Sequence, residues 1–176
     1  MNKHSRSTSH VFHLAVLALA MAGAGSAIAA SVPADSSGTV VAPIKIEKAA
    51  DLIFGSFAAG ADPGVVTIST SGARTKSGGV TLISTAGGAA RFTVTGATGA
   101  SFGISLSGTT LTSGSDTMSF TPVSDLTGAK SPSGTVTTGT LAGGTQTLYV
   151  GGALAVLADQ AAGTYTGSLT ATVEYN

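Results

Sequence analysis

A chain of 176 residues is long enough for one domain with a sizeable core. Eight basic and eight acidic residues, 9% charged in all, are too few and too scattered for a nucleic-acid surface, which needs clustered Lys and Arg. The absence of cysteine excludes a disulfide framework and a lipoprotein anchor, while 25 glycines and 5% aromatic residues mark a β protein built from small residues.

Residues 1–29 have the organisation of an export signal. Lys3 and Arg6 form a basic start, Leu14 to Ala24 an apolar stretch, and Ala27-Ile28-Ala29 a small-x-small cleavage site. The apolar run is well short of the ~20 residues of a spanning helix, so no retained membrane anchor is expected. Cleavage after Ala29 leaves 147 residues in which six basic side chains face eight acidic ones, a net charge of −2. The expected destination is the periplasm, the cell surface or the medium.

Residues 30–43 read as a flexible N-terminal extension. Val32 and Val40 share one register, diluted by Ala34, Ser36, Gly38 and Ala42, and Pro43 ends it because proline cannot donate to a ladder. From residue 44 onward, period-two alternation recurs between turn signals, the mark of half-buried strands. Ile44 and Ile46 lead, followed by Leu52 and Phe54, Val66 and Ile68, Val80 and Leu82, and Phe92 and Val94. Next come Phe102, Ile104 and Leu106, then Met118 and Phe120. Leu148 and Val150 continue into Leu154 and Val156 across Gly151-Gly152, a bulge or a turn. Asp62-Pro63-Gly64, Gly87-Gly88, Ser113-Gly114-Ser115 and Gly143-Gly144 are among the breakers between them. Residues 124–138 lack apolar periodicity and read as the longest loop.

The closing segment has the cleanest pattern. From Gly163, residues Tyr165, Gly167, Leu169, Ala171, Val173 and Tyr175 fall on one face, and Thr164, Thr166, Ser168, Thr170, Thr172 and Glu174 on the other. That pattern predicts a strand with one buried and one wet face. About eight short strands and no amphipathic helix predict an all-β fold, a single immunoglobulin-like (pilin-like) β-sandwich over residues 44–176.

The chemistry the chain can perform is narrow. His4, His10 and His13 all lie in the leader, so residues 30–176 hold neither His nor Cys. A Ser-His-Asp triad, a cysteine nucleophile and the usual transition-metal sites cannot be built from them. No Ser stands three residues before a Lys, and no Gly-x-x-x-x-Gly-Lys phosphate loop is present. Asp116 and Asp125, flanking one strand, are conceivable calcium ligands, and the alternative is two solvated turn aspartates. Tyr149, Tyr165 and Tyr175 suit core packing better than a carbohydrate-stacking face, since two of them fall on a buried side. No catalytic residue, cofactor or metal site is expected.

Several stretches resemble an exported proteobacterial family catalogued as a domain of unknown function, number 4402. They are Ile46-Glu47-Lys48-Ala49-Ala50-Asp51-Leu52-Ile53-Phe54-Gly55, Phe92-Thr93-Val94-Thr95-Gly96, Leu148-Tyr149-Val150-Gly151-Gly152 and the ending from Gly163 to Asn176. A looser resemblance is to chaperone-usher pilins and spore-coat-U-like subunits. It rests on a glycine fourteen residues from the C-terminus, Gly163, on alternating apolar residues and on a penultimate Tyr175. That resemblance implies an assembly motif of Gly163, Tyr165, Leu169, Val173 and Tyr175, held by a periplasmic chaperone or a like subunit. It also implies a donor segment carrying Val32 and Val40. The chain departs from the pilin pattern in lacking a disulfide and in the weak alternation of residues 30–43. The resulting expectation is a non-enzymatic structural or surface-interaction protein, fimbria-like; the alternative is a monomeric secreted module that binds a ligand such as a glycan.

Overall fold

The computed structural model describes residues 29–128 and 134–176. Residues 1–28, which carry most of the expected signal, and 129–133, inside the expected long loop, lie outside the described residues. Residues 29–39 form no strand and are exposed throughout. Residues Val40–Asn176 form one compact unit.

The unit is all-β and sandwich-like, with no helix among the described residues. Its strands are β1 (Lys45–Ala50), β2 (Phe57–Ala58), β3 (Gly64–Ile68), β4 (Arg74–Gly78), β5 (Thr81–Leu82) and β6 (Ala90–Thr95). They continue with β7 (Ser101–Ser107), β8 (Thr110–Ser113), β9 (Asp116–Asp125), β10 (Thr138–Thr140), β11 (Thr145–Val156) and β12 (Thr170–Tyr175). These twelve among the described residues exceed the eight or so read from periodicity, because β2, β4, β8 and β10 carry too little apolar alternation to register. β2 has two residues, β8 reads Thr-Leu-Thr-Ser, β10 reads Thr-Gly-Thr and β4 reads Arg-Thr-Lys-Ser-Gly, while Leu52 and Phe54, read as a strand, flank a single bridge at Ile53. β4 is the outermost strand of its path, where a lysine in place of apolar residues discourages further pairing.

All pairings are antiparallel. The larger sheet runs β1-β6-β11-β3-β4, with β9 also on β11 and β8 on β9. β11 organises it, since its first half pairs with β6 and its second half with β3. Its middle, Tyr149 to Leu154, also pairs with β9. Because Tyr149 and Val150 are shared by β6 and β9, and Gly152 to Leu154 by β3 and β9, β9 must lie on the opposite edge from the other two. β11 buries Leu148, Val150, Leu154 and Val156, the alternating residues of the face it turns to the core. Gly151-Gly152, expected as a bulge or a turn, is neither, and the strand passes through it unbroken. A second sheet, β10-β7-β12, and a two-stranded sheet, β2-β5, complete the unit.

The core has two adjoining parts. Phe54, Val66, Ile68, Val80, Met118, Phe120, Leu154 and Val156 form the first. Ala90, Phe92, Val94, Phe102, Ile104, Leu141, Leu148 and Val150 form the second, and Leu52 and Leu169 pack against both. Arg74 braces the small sheet against β4. Its Nη1 donates to the carbonyls of Ser84 (2.6 Å) and Ala86 (3.3 Å), and its Nη2 to that of Ser56 (2.9 Å). Burial lowers the pKa of this guanidinium, which neutral carbonyls rather than a carboxylate surround.

Candidate functional site

The free edges of the two main sheets face each other. Among the described residues β1 is laddered only to β6, and β12 only to β7. At one end these edges are drawn together by Tyr175. Its ring packs on the second core cluster, its hydroxyl donates to the Ala42 carbonyl (2.7 Å), and it accepts the Ala97 amide (2.6 Å). Gly96 makes room for it, since a Cβ there would collide with that hydroxyl.

At the other end the edges part. Lys48 to Leu52 on one side and Gly167 to Leu169 on the other enclose a cleft of about 280 Å³. Leu52, Leu111 and Leu169 line it over the buried rings of Phe54, Phe92 and Phe120, beside the polar groups of its rim. Phe54 and Phe120 stack tilted there, with ring centroids 5.5 Å apart and planes at 57°. The rim carries an exposed ion pair between Lys48 and Asp51 (2.7 Å), of the kind that adds little stability. The volume falls just below the roughly 300–1,000 Å³ of small-molecule sites.

The edge of β12 has defined hydrogen-bonding chemistry. The Asn176 amide donates to Ser101 across the β7 ladder (3.3 Å). Amides two residues apart point the same way, so those of Thr172 and Glu174 face β7, and those of Ala171, Val173 and Tyr175 face the open edge.

The residues of the expected assembly motif divide between two settings. Gly163, Tyr165 and Leu169 lie before β12, where the single bridge Thr112 to Thr166 replaces the continuous strand expected from residue 163. Val173 and Tyr175 lie in β12 itself. The alternation is as expected, but the inward side chains are half-buried rather than buried, because β12 is an edge strand with a gap beside it. Tyr165 is tied locally, donating to Ala161 (2.8 Å) and accepting from Gln160 (2.9 Å). Leu169 is the motif residue that lines the cleft. Val32 and Val40 are 91% and 100% exposed.

The remaining candidates separate. Asp116 and Asp125 stand at opposite ends of the ten-residue β9, roughly 30 Å apart, and cannot share an ion. Asp125 instead accepts the Thr70 hydroxyl (2.7 Å) and the amides of Thr127 (3.0 Å) and Gly128 (2.6 Å). Among the described residues no three His, Cys, Asp or Glu side chains cluster as a metal site. No helix among them is long and apolar enough to cross a membrane. The aromatic floor was legible only as core, since no local signal unites residues 52–54, 92, 111, 120 and 169.

An all-β, sandwich-like unit with a cleft between two strand edges is therefore the class of protein defined here. The chain belongs to the family described as a domain of unknown function, DUF4402, whose model matches residues 44–175. Comparison with curated proteins and with solved structures returned no match.

Proposed function

We propose that this is an exported, non-enzymatic structural or surface-interaction protein, a fimbria-like subunit whose cleft receives an extended segment of a like subunit or of a periplasmic chaperone. The observation that carries the reading is the unladdered edge of β12, which runs into a cleft beside Leu52 and Leu169. An added strand there would satisfy the outward amides of Ala171 and Val173 and lie against Leu52, Leu111 and Leu169, the half-buried apolar side chains of the cleft. Residues 30–42 are the proposed donor, since Val32, Val40 and Val41 are exposed large apolar side chains outside any strand. The lack of His and Cys in residues 30–176 supports a binding rather than a catalytic role.

Deleting residues 30–42 should leave a folded chain that no longer assembles. Val40→Asp should do the same, because a charge would enter an apolar groove. In assembled wild-type protein, hydrogen exchange at Ala171 and Val173 should slow while Thr172 and Glu174, already directed to β7, change little. Size-exclusion chromatography and residue-resolved exchange read both effects. Wild-type protein that stays monomeric at high concentration, with these amides unchanged, would refute the subunit reading and favour a monomeric binding module.

Export is tested separately. The mature protein recovered from outside the cytoplasm should begin at Ala30 or Ser31 by intact mass. A full-length chain in the membrane fraction would contradict it.

A further inference from the structure

The two edges that frame the cleft are not laddered to each other at either end. At the closed end, Ile44 and Ile46 on one side and Ala171 and Val173 on the other are partly buried against the same core cluster. No β1–β12 ladder holds them there. What spans the gap is the Tyr175 hydroxyl, engaged with Ala42 just before β1 and with Ala97 in the turn after β6. Two hydrogen bonds of this kind shift the balance toward the closed state by a modest factor, several-fold or more, because water replaces both partners when they part. Separating the edges would expose apolar side chains, a cost that an incoming apolar strand would remove.

We propose that Tyr175 is a latch on the opening between β1 and β12. With its hydroxyl engaged, the opening is the short cleft beside Leu52 and Leu169. With it released, the opening extends past Ile46 and Val173 along β12, about 20 Å, enough for a strand of six residues. The latch rests on the reading of the cleft as a strand-accepting site and adds that access to its full length is gated.

The test uses residues 30–176 and the dye 1-anilinonaphthalene-8-sulfonate, which fluoresces on exposed apolar surface. Tyr175→Phe should keep a cooperative melt and bind several-fold more dye than wild type. Gly96→Ala should act alike, because its Cβ would collide with the hydroxyl and crowd the ring's Cζ (3.1 Å) and Leu141 (3.0 Å), forcing Tyr175 off its two partners, and it covers the case in which Tyr175→Phe does not fold. Ser124→Ala is the control. It removes a buried acceptor of the Val136 amide (3.0 Å) on β9, away from both edges, and should bind dye as wild type does. In unmutated protein the Ala97 amide should exchange through an opening faster than global unfolding. Dye binding at the wild-type level in both latch variants, a rise matched by Ser124→Ala, or Ala97 exchange at the global rate would each overturn the latch. Increased dye binding in a protein that never assembles would leave the latch standing and remove the subunit reading.

Discussion

A chain ending before Gly163 is expected not to fold cooperatively. The lost segment carries Tyr165, Leu169, Val173 and Tyr175, all packed on the core and all half-buried. Full burial of a large apolar side chain is worth roughly 1.5–3 kcal/mol, so half-burial of four amounts to about 3–6 kcal/mol. Removing β12 also unpairs β7 along six registered positions and uncovers the cluster around Phe102 and Ile104. A typical domain has about 5–15 kcal/mol in all, and the combined loss is of that size. Far-UV circular dichroism of residues 30–162 should show no sigmoidal melt, and a cooperative transition would make the closing strand peripheral.

The second large effect is expected at Gly151. In the middle of β11, a Cβ at this position would be driven into the carbonyl of Ile68 and the backbone of Ser69. β3 cannot retreat, being laddered to β11 on one side and β4 on the other. Gly151→Val should therefore cost about 3 kcal/mol or more, beyond the usual range for overpacking because the obstacle is backbone rather than a side chain. Gly143→Ala, where a Cβ meets nothing within 4 Å, should stay within about 0.5 kcal/mol of wild type. Urea midpoints at constant slope measure both. Equal midpoints for the two variants would show that β3 yields after all.

Both effects trace to positions whose meaning depends on what lies across the chain. Gly151 reads in sequence as a breaker, yet it marks where β11 changes partner from β6 to β3 along one edge. Tyr175 reads as the last apolar residue of an alternating strand. Its hydroxyl, which alternation does not describe, ties residues 42 and 97 to the C-terminus.

By itself the sequence determined the all-β class and most of the core, because period-two alternation depends only on which side of a strand each residue faces. Val66, Ile68, Val94, Phe102, Ile104, Met118, Phe120 and Leu154 were each legible that way and are buried. It also determined that residues 30–176 hold neither His nor Cys, a matter of composition alone. Family membership was legible in the stretches from Ile46 to Gly55 and from Gly163 to Asn176. Only the tertiary structure decided the number of strands, since edge strands such as β4 have no face to bury and need no apolar pattern. It alone decided where the closing strand begins, because ladder bonds to β7 set that boundary at Thr170. It alone decided the cleft, whose floor gathers residues from 52 to 169. Side-chain period is a local property of the chain, whereas which two edges are left unpaired follows from how every other strand has found its partner.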